Sequence, residues 1–166
     1  MIVIERITTD NALVFKAIRL RALQESPTAF SATYAKESLI PDEDWQKRSV
    51  RWNSEGSVGF LAFDDERPCG MVFCYAVEDD PRRGQIVSMW VDPKIRRAGV
   101  GKTLIDSVLD WAKAQGMREV RLMVTSVNDG AIAFYQRIGF SMTGKTGPYP
   151  NDPAITEYEM AMALQV

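Results

Sequence analysis

Apolar residues at the start of the chain change from strand spacing to helix spacing. Ile2, Ile4 and Ile7 predict a short first strand, and residues 8–10 then supply side chains that cap helices. The next segment predicts a helix that Ser26-Pro27 interrupts. Its buried stripe is expected to consist of residues at helical spacing, namely Leu13, Val14, Ala17 and Ile18.

The middle of the chain predicts one helix and three strands. Residues 28–38 fit neither period, but Pro41 followed by an acidic first turn predicts a helix that ends near Trp52. Three apolar runs of strand length follow, with polar segments between them, at residues 58–63, 70–77 and 85–91. This spacing predicts an antiparallel meander.

After the meander, helices and strands alternate. A helical stripe that includes Leu104 and Val108 ends at Gly116, which suits a left-handed helix cap. A strand at residues 120–124 is expected next, and Asn128-Asp129 begins a helix that stops at Gly139. The predicted tail is a short segment over 140–143, a loop rich in Gly, Pro and Asn, and a final strand over 156–164.

These elements predict a mixed sheet flanked by helices, an α/β (or α+β) fold. The chain has 166 residues without a repeat or a linker, and the expectation is one domain over residues 1–166. No basic leader and no apolar run of about 20 residues are present, which predicts a cytoplasmic protein with no membrane partner.

Charge and composition exclude several functional classes. The formal net charge is -2, so no domain-wide basic field exists and no nucleic-acid partner is expected. Histidine is absent, which removes the usual base of nucleophilic triads and the commonest zinc ligand, so no metal is expected. Cys69 and Cys74 are expected to be reduced thiols that point to opposite faces of one strand.

The strongest functional signal is the turn at residues 96–103, between a predicted strand and a predicted helix. Free backbone N–H groups and the helix dipole favour an anion there. A nucleotide P-loop would need Gly at the place of Arg96, and a dinucleotide fingerprint would need Gly at the place of Leu104. Both of those nucleotide-binding motifs are therefore excluded.

The turn resembles the coenzyme A pyrophosphate loop of the GNAT N-acetyltransferases, because Arg96, Gly99 and Gly101 satisfy the family pattern. The resemblance extends back through Trp90-Val91-Asp92-Pro93 and forward to Asn128, Phe134-Tyr135 and Gly139-Phe140, and covers roughly residues 58–164. It implies the GNAT acyltransferase fold: a mostly antiparallel sheet with one splayed strand pair. It also implies an acetyl-CoA-dependent N-acetyltransferase that moves the acetyl group directly to a primary amine.

The same resemblance implies the site residues. Tyr135 matches the tyrosine that protonates the leaving thiolate, and Asn128 matches the asparagine that binds the coenzyme arm, although a helix N-cap explains Asn128 equally well. Backbone groups near residues 89–91 are expected to pair with pantetheine and to polarise the thioester carbonyl. The implied coenzyme-binding set is Met89, Trp90, Val91, Arg96, Arg97, Ala98, Gly99, Val100, Gly101, Lys102, Thr103, Asn128 and Tyr135.

Elementary chemistry supports the loop assignment. Glycine lets the backbone approach a pyrophosphate closely, so consecutive N–H groups from about Arg97 to Lys102 are expected to donate to its oxygens. The side chains of Arg96, Arg97 and Lys102 are expected to add positive charge beside it.

The general base is missing from both places where relatives carry it. Gln85 and Met123 stand where the two familiar glutamates would be. An amine with a pKa of about 10.4 must nevertheless lose a proton before it attacks. The remaining candidates are a substrate amine with a lowered pKa or a water molecule relayed to one of five acids, Glu25, Glu78, Asp79, Glu157 or Glu159.

The acceptor is less well defined by the sequence. Acidic residues at 42–44 and 78–80 could attract a polyamine or an aminoglycoside, although the first group equally suits a helix N-terminus. The side chains of Phe30, Tyr34, Trp45 and Tyr149 either wall an acceptor cleft or belong to the core. The alternative function is a non-catalytic acyl-CoA-binding module that has lost its base, and a homodimer is left open.

Overall fold

Seven strands form one twisted sheet in the computed structural model, which describes residues 1–165. Its order is β1-β2-β3-β4-β5-β7-β6, and every neighbouring pair is antiparallel except β4 and β5. The strands are β1 (Ile2–Arg6), β2 (Ser57–Asp64), β3 (Arg67–Val77), β4 (Asp80–Val91), β5 (Glu119–Thr125), β6 (Ser141–Tyr149) and β7 (Asp152–Ala163). The mostly antiparallel mixed sheet confirms the predicted fold class.

Five helices cover the two faces of this sheet. They are α1 (Ala12–Glu25), α2 (Tyr34–Glu37), α3 (Asp42–Arg51), α4 (Val100–Ala114) and α5 (Asp129–Arg137). One core lies between the sheet and α4, with Leu104 and Val108 fully buried. The other lies under α1 and α3, around Phe15 and Trp45. The two longest helices, α1 and α4, therefore bury most of the helical apolar residues against opposite faces of the sheet.

The parallel pair β4 and β5 separates along its length. Its ladder joins Arg83 to Glu119 and ends at the pair of Gln85 and Arg121. On the other side of β4, the register with β3 shifts between Met71 and Phe73, opposite Ser88, whose φ is +56°. This β-bulge bends β4 away from β5 and confirms the predicted splayed pair.

The buried stripe of α1 agrees with the prediction only in part, because Ile18 is fully buried and Val14 packs against the core but the other two residues do not. Leu13 is 53% exposed and Ala17 is exposed, whereas the buried residues are Ala12, Phe15, Ile18, Arg19, Ala22 and Leu23. Apolar residues occur almost all around this helix, so periodicity alone selected the wrong phase. The large Phe15 side chain decides the phase by packing edge-on against Trp45 and Phe73.

The predicted loop before the last strand is a hairpin instead. Strands β6 and β7 pair from Ser141 opposite Ala161 to Tyr149 opposite Asp152. Glycine and proline in this segment suggested a loop, but β6 is the outermost strand of the sheet. An edge strand tolerates Gly and Pro because one side of its backbone needs no partner.

The two cysteines do not point to opposite faces as expected. Both are buried in the core beneath α4. In β2 and β3, Ala62 pairs with Gly70 and Phe63 with Pro68, so Cys69 is the extra residue of a β-bulge. The bulge breaks the strict alternation of the strand and brings the Cys69 side chain to the face of Cys74.

Among the described residues, no helix is long and apolar enough to cross a membrane.

Candidate functional site

The turn before α4 has the backbone of an anion-binding loop. Arg97 and Gly99 both have positive φ, +77° and +84°, and the helix begins at Val100. A Cβ built on Gly99 would meet nothing within 4 Å, whereas one on Gly101 would lie 3.0 Å from the Phe134 ring. Gly99 is therefore needed for its conformation, and Gly101 for its close contact with α5.

A row of backbone N–H groups in this turn has no acceptor within residues 1–165. The Ala98 N–H donates to the Ile95 carbonyl at 3.2 Å, and the Thr103 N–H donates to the Gly99 carbonyl. The groups that remain free belong to Arg97, Gly99, Val100, Gly101 and Lys102. Five donors at a helix N-terminus form a ready site for a phosphate group.

The side chains of the turn supply less free charge than expected. Arg96 donates to the Val91 carbonyl and to Glu25, both at 2.9 Å, and Lys102 pairs with Asp106 at 2.8 Å. Only Arg97 of the three basic residues has no ion pair in the described chain. Arg96 thus anchors the turn to the ends of β4 and α1.

Beside the turn, the splay of β4 and β5 opens a narrow cleft of about 70 Å³. It brings together three predicted site residues, Met89, Asn128 and Tyr135. Met89 also reaches the turn, since its methyl group would lie 3.3 Å from a Cβ on Gly101. The cleft and the turn are therefore continuous through Met89.

Tyr135 lies on α5 and is 7% exposed, in contact with the Phe134 and Phe140 rings. Burial raises the pKa of its phenol well above the ordinary value. The phenol is consequently protonated at neutral pH. A protonated hydroxyl at the wall of the cleft can donate a proton but cannot accept one.

Asn128 is the N-cap of α5, because its Oδ1 accepts from the Ala131 N–H at 3.1 Å. The helix N-cap was one of the two explanations of Asn128 that the sequence offered. The cap occupies the side-chain oxygen only, and Asn128 lines the cleft. Its Nδ2 can therefore still donate to a bound molecule.

Trp90 and Val91 lie outside the wall of the cleft. The Trp90 indole packs beneath α1, where its Nε1 donates to Glu25 at 2.8 Å and the Arg21 guanidinium stacks on the ring. Val91 is buried on the opposite face, and its carbonyl holds Arg96. Both side chains support the cleft and the turn from behind.

Two polar residues of the cleft, Ser88 and Thr125, were not predicted from the sequence. Ser88 has the positive φ of the β4 bulge, and its Oγ accepts from Arg19 at 2.6 Å. Thr125 is 4% exposed, and its buried hydroxyl has no hydrogen-bond partner in the described residues. No local sequence signal marks a bulge at Ser88. Thr125 precedes the Asn128 cap by three residues, and this short spacing is a signal that could have placed it in the cleft.

The five candidate bases occupy different environments. Glu78 and Asp79 form the exposed turn between β3 and β4. Burial raises the pKa of Glu25, but hydrogen bonds from Ser26 and Trp90 and the charge of Arg96 lower this pKa by a larger amount. The net effect leaves Glu25 a weaker base than an ordinary carboxylate.

The two remaining acids lie on β7, beside β5. Glu159 is buried and accepts hydrogen bonds from Arg121 at 3.0 Å and Thr143 at 2.9 Å. Glu157 is opposite Thr125 in the β5–β7 register and makes no ion pair in the described chain. Burial raises the pKa of Glu157.

A second and larger cavity, of about 410 Å³, lies on the face of the sheet that α1 and α3 cover. Ser88 lines both this cavity and the cleft. We call it the arginine pocket, because its polar lining includes Arg19, Arg48 and Arg51, and its other residues are Phe15, Trp52, Ser57, Phe73, Tyr75 and Ala76.

The aromatic cleft considered from the sequence is not formed. Phe30, Trp45 and Tyr149 are buried core residues, and the Tyr149 hydroxyl donates to the Pro27 carbonyl at 2.9 Å. Tyr34 lines neither cavity. These large rings serve packing, because they fill the space between the N-terminal segment and the sheet.

The two acidic groups also lie away from both cavities. Residues 42–44 are the first turn of α3, where Asp42 pairs with Lys16 at 2.7 Å and Asp44 with Lys47. Residues 78–80 belong to the turn between β3 and β4. Residues 42–44 therefore complement the helix dipole, which was the second of the two interpretations of this group from the sequence.

The cysteines offer no reactive nucleophile. Burial raises the pKa of Cys69 to about 11 and that of Cys74 to about 12. Thiolates are therefore scarce at neutral pH.

Comparison with known proteins gives a consistent result. The profile of the acetyltransferase (GNAT) family matches residues 20–140. Human N-acetyltransferase 8 is 35% identical over 97 residues, which are 57% of this chain and 43% of the human protein. An uncharacterized N-acetyltransferase of Methanocaldococcus jannaschii is 29% identical over 143 residues, 82% of this chain and 59% of that protein. The matched regions span less than two thirds of these relatives.

Solved structures share the fold over nearly the whole chain. A GNAT-family acetyltransferase from Streptococcus pneumoniae has a TM-score of 0.81 at 21% identity and covers 99% of this chain and 100% of its own. The PaiA N-acetyltransferase of Thermoplasma acidophilum, solved with coenzyme A, has a TM-score of 0.77 at 18% identity. The match covers 98% of this chain and 99% of that protein's chain.

Proposed function

The chain belongs to the acetyltransferase (GNAT) family, and we propose that it transfers an acetyl group from acetyl-CoA directly to a primary amine. The observation that carries this proposal is the row of five free N–H groups at the N-terminus of α4, next to a cleft that Tyr135 lines. The acetyltransferase of Thermoplasma acidophilum that shares this fold was solved with coenzyme A. Acetyl-CoA is therefore the donor we assign to this site.

In this proposal the pyrophosphate binds the turn and the pantetheine arm enters the cleft. The free N–H groups of residues 97 and 99–102 hold the pyrophosphate oxygens, and Arg97 adds an unpaired positive charge. Beyond Gln85, β4 has no partner strand on the β5 side, which leaves a strand edge for the pantetheine amides. The Asn128 Nδ2 is free to donate to the same arm.

The chemical step is attack of a neutral amine on the thioester carbonyl carbon. A carbon–nitrogen bond forms, the carbon–sulfur bond breaks, and coenzyme A leaves as a thiol after it takes a proton from Tyr135. In this proposal a backbone N–H near Met89 stabilises the oxyanion, and loss of such a donor typically costs about 3 kcal/mol of barrier. The proton from the amine returns to Tyr135 or to solvent through the base.

Glu157 is the base we propose, acting through a water molecule. Directly opposed residues in an antiparallel pair share one face, so Glu157 lies beside Thr125 of the cleft. Thr125 has a free buried hydroxyl that can hold such a water. On this face the nearby charged groups are Glu159 and Arg121, which pair with each other, while Gly147 lies opposite Glu157 on β6.

The test of the proposed function is a thermal melt with and without acetyl-CoA, with ATP and NAD as controls, followed by thiol release from acetyl-CoA with a panel of amines. Ligand at about 100 times its Kd should stabilise the fold by about 2.7 kcal/mol, a rise of several degrees. We expect the melting temperature to rise with acetyl-CoA and to stay unchanged with ATP or NAD. A folded protein that does not respond to millimolar acetyl-CoA would refute the proposal.

A further inference from the structure

The arginine pocket carries more positive charge than the rest of this acidic protein would suggest. The chain has a formal net charge of -2, yet three guanidinium groups line one cavity. Glu37 is the one carboxylate that pairs with them, at 3.0 Å from Arg19 and 3.3 Å from Arg48. The lining and its ion-pair partners in the described chain therefore retain an excess of two positive charges.

Arg51 is the least satisfied of the three arginines. It is the last residue of α3, it is exposed, and it makes no ion pair within residues 1–165. Arg19 and Arg48 keep fixed positions, because Glu37 holds both and is 7% exposed. A guanidinium group presents a planar pair of donors that matches a carboxylate.

The remaining wall of the pocket is aromatic. Trp52 stacks on Phe73 with ring centroids 4.9 Å apart, and Tyr75 lies 6.3 Å from Trp52 at a tilted angle. Tyr75 is 37% exposed, so this wall is accessible from solvent. A cavity of about 410 Å³ falls within the size range of small-molecule sites.

Ser88 connects this pocket to the cleft in which the proposed reaction occurs. It lines both cavities, and its hydroxyl accepts from Arg19 of the pocket. The arginine pocket therefore adjoins the splay of β4 and β5 at the bulge. The pocket has the position required of the acceptor.

From these observations we propose that the acceptor is an amine that also carries a carboxylate and an apolar group, as an apolar amino acid does. The carboxylate binds Arg51 and Arg48, the apolar group packs on Trp52 and Tyr75, and the amine lies at Ser88. This inference rests on the proposed function, since it assigns the acceptor of that reaction.

The same charge excess would assist the chemistry and exclude polycations. A positive environment disfavours an ammonium ion, so it lowers the pKa of the bound amine and increases the fraction that can attack. One excess positive charge remains after a carboxylate has bound. Polyamines and aminoglycosides, which carry several positive charges, are repelled.

The experiment compares matched amines in thiol release from acetyl-CoA. L-phenylalanine, L-tryptophan and L-leucine are each tested against the corresponding amide, with spermidine as the polycation. We expect at least one amino acid to exceed its amide by about tenfold or more in kcat/KM, and spermidine to be inactive. Transfer that is equal for acids and amides, or that favours spermidine, would overturn the acceptor assignment and leave the acetyltransferase function standing.

Two helix-terminal arginines provide a matched pair of variants. Arg51 ends α3 and Arg137 ends α5; both are exposed and neither makes an ion pair in the described chain. R51Q should raise KM for the preferred amino acid about tenfold and leave its amide unaffected, whereas R137Q should change neither. Identical behaviour of the two variants would refute the role of the pocket.

A binding measurement separates this inference from the proposed function. The same three amino acids are added to the protein without acetyl-CoA, and the melting temperature is followed for wild type and R51Q. Stabilisation that depends on Arg51, in a protein that acetylates no amine, would retain the carboxylate site and reject the acetyltransferase function. Absence of stabilisation together with absence of a carboxylate preference would reject the site.

Discussion

The proposed donor side and the proposed acceptor side of this protein share Ser88, which lines both cavities, yet they are built in different ways. The donor turn consists of consecutive residues, 96–103, and the groups that we propose to bind the coenzyme are backbone N–H groups. The arginine pocket collects side chains from β2, β3, β4, α1 and α3. A backbone site for a constant coenzyme needs only a local conformation, whereas a side-chain pocket can change its acceptor through a few substitutions.

The two sides also differ in how much unpaired side-chain charge they carry. In the turn, Arg96 and Lys102 are paired with Glu25 and Asp106, so one unpaired side chain, Arg97, and the dipoles of the free N–H groups remain in the described chain. In the pocket, the guanidinium groups outnumber the carboxylates. The donor side therefore depends on backbone geometry and the acceptor side on net charge, and variants on each side should fail in different ways.

The largest effect is expected at Tyr135, the proposed proton donor to the leaving group. Y135F should lower kcat by about 10²- to 10⁴-fold, because general acid catalysis of this kind contributes that much. Acetyl-CoA should still raise the melting temperature, since the ring continues to pack against Phe134 and Phe140. Y34F, which alters an exposed tyrosine outside both cavities, is the control. Wild-type turnover by Y135F would remove the proton-donor role.

A smaller loss of rate, of about 10²-fold, is expected for E157Q. Wild-type activity should rise with pH as the Glu157 carboxyl ionises, because only the carboxylate accepts a proton, and the variant should lose this step of the pH profile. E159Q is a poor control because Glu159 holds Arg121 and Thr143, so E78Q in the exposed turn serves instead. An unchanged pH profile in E157Q would eliminate Glu157 as the base.

E157Q should lose activity but should not lose stability near neutral pH. Burial raises the pKa of Glu157 in the folded state, so the folded state favours the protonated form. The stability this gives is complete below the unfolded pKa of about 4.3 and is lost as pH rises through the folded pKa. Glutamine stays neutral, and urea unfolding near neutral pH should show E157Q as at least as stable as wild type.

The smallest catalytic effect is expected at the donor turn, where binding changes and chemistry does not. Gly99 and Gly116 both have positive φ, +84° and +78°, and neither has an atom within 4 Å of an added Cβ. G99A and G116A should therefore each lose about 1 kcal/mol of stability. Only G99A should weaken acetyl-CoA, by tenfold or more in Kd by calorimetry. Equal Kd values for the two variants would show that the turn does not bind the coenzyme.

Much of the architecture follows from periodicity, because strands and helices bury residues at different spacings. The meander of β2 to β4 and the helix that ends before Gly116 were predicted in this way, whereas the splayed pair was implied by the resemblance to the GNAT family. The errors at α1, Cys69 and β6 have one cause, which is that the decisive contact lies elsewhere in the chain. Phe15 sets the phase of α1 through Phe73, and a bulge between β2 and β3 turns Cys69.

The donor site could be predicted further than the acceptor site for the same reason. Gly99, Gly101 and Tyr135 are recognisable because their spacing is local or nearly so, and the structure brings Met89, Asn128 and Tyr135 to one cleft. Arg19, Arg48 and Arg51 gave no sequence signal. They become a pocket only when α1 and α3 pack on the same face of the sheet.

The sequence by itself determined the family, the fold class and the position of the glycine turn at residues 96–103, because these depend on apolar spacing and on glycines at fixed positions. The tertiary structure decided which charges are free. Glu25 neutralises Arg96 from 71 residues away, whereas the packing of α3 leaves Arg51 without a partner in the described chain. Charge neutralisation acts over a few ångströms of space, and distance along the chain does not reveal it.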